Sequence, residues 1–474
     1  MSGIIGRKLT NTLGDPYSVL FSGTDKVLFR GITTGKAALY RDLFERGVFS
    51  GLSKKGLLIE TDVCSQNIPG YELTLQHRRL PFVTFPEEWS ATMYQDAALC
   101  VLNLEMSLLE HGLTLLDAHP WNVVFDGSRP VWVDVGSLVS DDYSSLWMKE
   151  NEFMRFFLFP LRMYAAGHGH VVRSCINGCS EGIDTRMMLG LSGLRHALPA
   201  SLKWNMQNIA EWICRYGSRK SATVDQEPRP PVGSVTPKQR LEHLRKLHEQ
   251  VMRLKMPVER TAWSHYYESN FPDFADRKGW NAKHISFAEI IDSACPSTVL
   301  DIGANTGWFS EYAARHGAYV LASDMDEMCV DSMYMRLKNS KLPVAPLVMN
   351  IRNPTPAKGL DYKWWPSAVD RFQVDMVVAL AVMHHLVFKN WLDFEQIISA
   401  LSAFAKDALV VEFVGPEDKF VREWMAPRYD FYNESNLTAV LRRHYRDISV
   451  YPSNLEFRKI FLCKGKINMK HGAT

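Results

Sequence analysis

The strongest constraint on this chain is an alternation of short apolar runs with helix-like segments from Thr298 to Val414. Thr298 to Ile302 (TVLDI) is an apolar strand that stops at Gly303. Phe309 to His316 reads as a helix, Ala318 to Ser323 as a second strand ending at Asp324, and Glu327 to Asn339 as a second helix. Ala345 to Met349 is a third strand. Asp375 to Val382 (DMVVALAV) is a fourth, nearly all apolar, as a strand covered on both faces should be. Trp391 to Ala405 is expected to be helical and Ala408 to Val414 to be a fifth strand. Ile448 to Tyr451 and Arg458 to Cys463 are expected to close the sheet as an antiparallel pair. Such alternation builds a doubly wound α/β sheet with a parallel core.

Sheets of this kind bind ligands at the carboxyl ends of their strands. The first strand ends in Asp301-Ile302-Gly303-Ala304-Asn305-Thr306-Gly307. A glycine there lets the backbone approach a ligand closely. The second strand ends at Asp324, whose carboxylate can accept hydrogen bonds from both hydroxyls of a ribose. A dinucleotide fingerprint GxGxxG would need glycine where Asn305 and Trp308 stand. An acidic residue two places before the first glycine, with asparagine in the middle position, resembles instead the cofactor loop of class I S-adenosylmethionine-dependent methyltransferases. The resemblance implies a Rossmann-like methyltransferase fold and S-adenosylmethionine as cofactor. Asp301 would bind the methionine amino group, and Gly303, Asn305 and Gly307 would form the turn. Asp324 would hold the ribose and Met325 would pack on the adenine. Asn350, after the third strand, would contact the adenine or merely end the strand. Leu380 and Ala381 would close the methionine end.

Chemistry is expected at the mouth of the fourth strand, at Ala381-Val382-Met383-His384-His385-Leu386. Methyl transfer from a sulfonium is an in-line displacement that asks for positioning and, with some acceptors, a base. An imidazole of ordinary pKa near 6.5 suits that role at neutral pH. Adjacent histidines point in different directions, so one of His384 and His385 at most faces the acceptor. Glu412, at the end of the fifth strand, is a further candidate. Trp263-Ser264-His265-Tyr266-Tyr267 offers aromatic faces; such clusters pack more often in cores than over cofactors, so a core role is expected.

The first half carries another constellation, Asp117, Asn122 and Asp134, in LLDAHPWN and WVDVG. This spacing resembles the catalytic and metal-binding loops of kinase-like phosphotransferases. There the first Asp orients the acceptor, and the Asn and second Asp hold magnesium. Leu115 stands where that family has histidine, and no glycine-rich loop is evident near the start. Lys26 and Lys36 lie in that region without a strand motif followed by a helical Glu. A degenerate kinase-like α+β domain is therefore expected.

A longer resemblance joins the halves. Glu88-Trp89-Ser90, Asp96-Ala97-Ala98, Glu110-His111-Gly112, the Asp117 loop, the LDIGANTGWFS loop, Ala381 to Leu386 and Glu412-Phe413-Val414 recur in this order in a family of large bacterial class I methyltransferases. That family is related to a rhizobial host-specificity nodulation protein. The resemblance implies the reaction type and leaves the acceptor open, with a carbohydrate or small hydroxylated metabolite favoured. A bifunctional kinase-methyltransferase and a non-catalytic binding protein on the same fold are the alternatives.

The sequence divides at Glu227 to Pro237 (EPRPPVGSVTP), where prolines fix an extended linker. From Pro237, Leu241, Leu244, Leu247, Val251 and Leu254 mark an amphipathic helix with Lys and Arg opposite. The domains are thus residues 1–226, a linker and connecting helix at 227–255, and the methyltransferase domain at 256–474. Lys plus Arg number 54 against 52 for Asp plus Glu, a balance that disfavours nucleic acid as the acceptor. The 8 cysteines are scattered, no secretory signal stands at Met1 to Leu13, and no apolar run spans a membrane, so a cytoplasmic protein with reduced thiols is expected. His168, His170, Cys175 and Cys179 match no standard zinc spacing, and no metal site is expected there.

Overall fold

The computed structural model describes residues 5–9, 15, 17–23, 26–178, 181–188, 235–257, 261, 263 and 271–467. Most of the expected proline-rich linker, together with Cys179, Cys214 and residues 264–267, lies outside them.

In the N-terminal half, β1 (Ser18–Ser22) and β2 (Val27–Ile32) lead into helices α1 (Thr34–Glu45) and α2 (Val48–Lys54). Strands β3 (Thr61–Val63) and β4 (Leu73–Arg78) complete an antiparallel sheet of order β1-β2-β4-β3. Helix α3 (Ala91–Leu109) is apolar on nearly every side and is accordingly buried. Ser90 caps it by accepting the Met93 N–H. Two short pairs follow, β5 (Leu113–Leu115) with β8 (Leu138–Ser140), and β6 (Val123–Asp126) with β7 (Arg129–Trp132). Next come α4 (Glu150–Phe153), a π-helical turn at Met154–Leu158, α5 (Phe159–Ala165) and α6 (Gly169–Gly178).

Helix α7 (Pro237–Met252) starts as expected, with Thr236 as N-cap and Gln239 completing a capping box. Leu244, Leu247 and Val251 enter the core of the N-terminal half, so this helix is part of that domain rather than a free connector. Arg240 departs from the expected solvated basic face. It is fully buried, paired with Asp141 and donating to the Ser145 carbonyl.

The C-terminal half runs α8 (Ala282–Ala294), β9 (Thr298–Ile302), α9 (Trp308–Arg315), β10 (Tyr319–Asp324), α10 (Glu327–Leu337) and β11 (Val344–Val348). Then follow α11 (Ala368–Arg371), β12 (Val374–Ala379), α12 (Met383–Asn390), α13 (Phe394–Ser402) and β13 (Ala405–Val414). Helices α14 (Lys419–Trp424) and α15 (Glu434–His444) precede strands β14 (Tyr445–Pro452) and β15 (Arg458–Lys466). The seven-stranded sheet has the order β11-β10-β9-β12-β13-β15-β14. Strands β9 to β13 pair in parallel, and β15 is antiparallel to both β13 and β14. This is the expected doubly wound sheet with a parallel core and an antiparallel closure.

Two expected boundaries move. The fourth strand stops at Ala379 because Ala381 is left-handed, at φ 57°, and α12 begins two residues later. The helix expected over 391–405 is shorter: Trp391, at φ 60°, is the C-cap of the preceding α12, Asp393 opens α13 with a capping box to Gln396, α13 stops at Ser402, and Ala405 already belongs to β13.

The halves meet along α10. Ser90 and Thr92 hydroxyls donate to Asp331 at 2.6 and 2.8 Å, and the Ala91 N–H donates to Glu327 at 2.9 Å. Val330 and Tyr334 of α10 belong to the N-terminal core. Among the described residues no helix is long and apolar enough to cross a membrane.

Candidate functional site

The turn after β9 is built by backbone conformations that glycine tolerates. Gly303 and Gly307 have φ of 75° and 88°. A Cβ on Gly303 would lie 2.5 Å from Val382 Cγ2, so the two loops touch only because that atom is absent. Asn305 between them is also left-handed, at φ 51°, a conformation asparagine accepts better than most residues. The Gly303 and Ala304 N–H groups donate to the Ser323 carbonyl, which fixes the turn beside the end of β10.

Asp324 caps this arrangement. Its Oδ2 accepts the Asn305 N–H at 2.8 Å and its Oδ1 the Asp326 N–H at 2.9 Å. Each oxygen keeps a lone pair for a further donor, as a ribose diol would need. Burial raises the Asp324 pKa above its ordinary value, against the pull of those N–H groups. Met325 beside it is 68% exposed, an apolar surface open to a planar ring. Asn350 sits next to this strand end, because Met349 N–H donates to the Asp324 carbonyl; its own Oδ1 accepts the Arg352 N–H at 3.0 Å. Leu380 is buried, and Ala381 forms the turn opposite Gly303.

Asp301 is buried and accepts the Ser310 hydroxyl at 2.6 Å. Burial pushes its pKa up to about 6, with Ser310 opposing and Asp324 adding to the rise.

The two histidines differ. His384 is buried, and desolvation followed by the neighbouring His385 drives its pKa down to about 3. His385 is half-buried; its ring meets Trp263 edge-on at 5.2 Å and lies 5.6 Å from Trp424. Desolvation and then Lys389 lower its pKa too. The expected unperturbed imidazole is therefore corrected at both positions. Trp263 is 46% exposed, and its carbonyl accepts the Asn305 side-chain N–H at 3.0 Å, so it lies over the Gly303–Gly307 turn rather than in the core.

Glu412 is fully buried. Its oxygens are taken by Lys283 Nζ at 2.7 Å and the Ser453 hydroxyl at 2.6 Å. This makes it an internal ion-pair member and not a group facing an open acceptor. Lys283 escaped the sequence reading, since nothing in α8 marks it as partner to a strand residue 129 positions away.

In the N-terminal half the hairpins bring Asp117, Asn122 and Asp134 together. Leu116 N–H donates to the Ser137 carbonyl and Val133 N–H to that of Asn122. Two cations missed at the sequence level, or left without a role, face them. Arg30, in the middle of apolar β2, is buried and lies 3.4 Å from Asp134 and 3.8 Å from Asp15. Lys36, buried at the start of α1, donates to the Gly136 carbonyl, and burial lowers its pKa. A lone arginine inside the apolar run VLFRGI was the available signal.

No family model matches the chain. It is 27% identical over 440 residues to the nodulation protein NoeA of Rhizobium meliloti (strain 1021), covering 90% of this chain and 89% of that protein. Among solved structures, the magnesium protoporphyrin IX methyltransferase of Synechocystis PCC 6803 with bound SAM aligns at 16% identity and a TM-score of 0.29, over 43% of this chain and 88% of its own. The N-methyltransferase NodS of Bradyrhizobium japonicum WM9 aligns at 15% identity and a TM-score of 0.29, over 39% and 94%. The chain is thus similar to a rhizobial nodulation protein along nearly its whole length.

Proposed function

We propose that this chain is an S-adenosylmethionine-dependent methyltransferase. The observation that carries the reading is Asp324, held by two backbone N–H groups beside a glycine turn that a single Cβ would block. Asp324 would bind the ribose, Met325 and Asn350 the adenine, and Asp301 the methionine amino group. When bound, the cofactor supplies an electrophilic methyl on a sulfonium. An acceptor hydroxyl or amine that took this methyl would have to lose its proton to a group of the protein or to solvent. His385 is placed for that proton better than the buried His384 or the ion-paired Glu412. The half-buried Trp424 and exposed Trp263 offer ring faces beside it, and with the similarity to a nodulation protein they support a carbohydrate or small hydroxylated metabolite as acceptor.

The test is calorimetric titration with S-adenosylmethionine, then incubation of labelled cofactor with fractionated extract. Asp324→Ala removes hydrogen bonds to a charged group, each worth ~1.5–3 kcal/mol, so affinity should fall by at least ~10-fold. Unchanged binding in folded Asp324→Ala and Gly303→Val variants would overturn the site. Binding without any labelled product would favour a non-catalytic protein.

A second reading, kinase and methyltransferase on one chain, is favoured by the convergence of Asp117, Asn122 and Asp134 with Arg30 and Lys36. It requires ATP consumption that disappears in Asp134→Ala.

A further inference from the structure

A second set of groups gathers at the Asp117 loop. Asp117 and His119 stand two residues apart after β5, and Glu152 reaches them from α4. One ligand atom from each lies within 4.8 Å of the others. Ligands bound at about 2.1 Å to a single ion are at most roughly 4.2 Å apart, so a small adjustment brings all three onto one centre. Glu152 already reaches over the loop, its Oε2 accepting the Ala118 N–H at 3.0 Å. Helix and loop are therefore already in register for a cation to join them.

A separate observation points the same way. His119 Nδ1 is buried and has no hydrogen-bond partner in the protein. Buried ring nitrogens are rarely left so, and an orphan of this kind asks for a water or an ion. Trp121 and Phe156 stand edge-on to the imidazole at 5.9 and 6.3 Å, an apolar wall that limits solvent access. Asp134, by contrast, already faces Arg30 at 3.4 Å, so a cation on the phosphotransfer-like pair has a built-in competitor. Imidazole with two carboxylates suits first-row transition ions better than magnesium, which prefers oxygen ligands and its own waters.

We propose that Asp117, His119 and Glu152 bind one divalent transition-metal ion, which ties the Asp117 loop to α4. Trp121 of the same loop meets Trp365 of the C-terminal half, with ring centroids 6.5 Å apart. The ion would thus stiffen a contact between the two halves. This site is independent of the methyltransferase reading.

The test uses the full chain, stripped with chelator and titrated with Mn2+ followed by electron paramagnetic resonance, and with Co2+ followed by visible absorption. One equivalent should bind, and His119→Ala should weaken it by at least ~10-fold. Glu152→Gln is the second variant in case the first fails to fold, with folding checked by circular dichroism. Asp134→Asn should bind the ion as the parent does. The proposal is overturned by the absence of a stoichiometric site, by undiminished binding in folded His119→Ala or Glu152→Gln, or by loss confined to Asp134→Asn, which would put the ion on the phosphotransfer-like pair.

Discussion

Asp301 joins the proposed cofactor turn to a pH dependence. Its folded pKa, about 6, lies above the ordinary carboxylate value, so it is neutral below that pH and charged above it. Only the charged form attracts an ammonium. Affinity for S-adenosylmethionine should therefore rise with pH, by up to about 10-fold per unit below the midpoint, and level off above it. Asp301→Asn should flatten this profile in calorimetric titrations from pH ~5 to ~8. The histidines give a second profile. A base must be neutral to act, and the pKa of His385 is lowered. The acid limb of kcat should then fall below pH ~6.5, the ordinary imidazole value. His385→Gln should remove that limb, whereas His384→Gln, at a group with pKa about 3, should leave its position unchanged. A rate limb that moves with His384 instead would reverse the assignment. At this scale the sequence carried the positions of the residues proposed to hold the cofactor, because each lies at a strand end or in a strained turn. It carried the histidine chemistry poorly, because burial and the neighbouring ring set those pKa values and neither is written locally.

Helix α7 shows what periodicity reads and what it misses. The leucine spacing placed its buried face correctly, at Leu244, Leu247 and Val251. Arg240 carries the same letter as a solvated residue, yet its side chain is 1% exposed and that of its partner Asp141 0%. Only the fold supplies a carboxylate and a carbonyl at that spot. Arg240→Met would strand Asp141 as an uncompensated buried charge, a loss of ~3–5 kcal/mol by denaturant unfolding. Adding Asp141→Leu should recover much of it; no recovery would mean the arginine acts through packing alone. The division between α12 and α13 was legible in principle. Asp393 followed three residues later by Gln396 is a capping box, and it marks the true start of α13. The left-handed Trp391 before it carries no such signature, since tryptophan is an unusual residue there.

For the whole molecule, the position of the interface matters more than its size. Helix α10 begins two positions after Met325 and three after Asp324, and its other face lies in the N-terminal core. Val330 and Tyr334 are fully buried there, and Asp331 and Glu327 are held by Ser90, Thr92 and Ala91 at the head of α3. Farther along, Tyr334 and Lys338 both reach Asp96, at 2.7 and 3.0 Å. The helix that follows the carboxylate proposed to hold the ribose is therefore packed by the N-terminal half. A C-terminal fragment starting near residue 271 would expose Val330 and Tyr334, a loss of ~1.5–3 kcal/mol for each side chain, and would leave Asp331 without its donors. The full chain should melt in one transition. The fragment should melt lower and bind S-adenosylmethionine more weakly, although every residue proposed to touch the cofactor from β9 onward is retained. Asp331→Ala in the full chain should move affinity in the same direction by a smaller amount, because it loosens α10 without removing its apolar cover. A fragment with the affinity of the full chain would show that α10 holds Asp324 unaided, and the N-terminal half would then need a separate reason to be joined to the seven-stranded sheet.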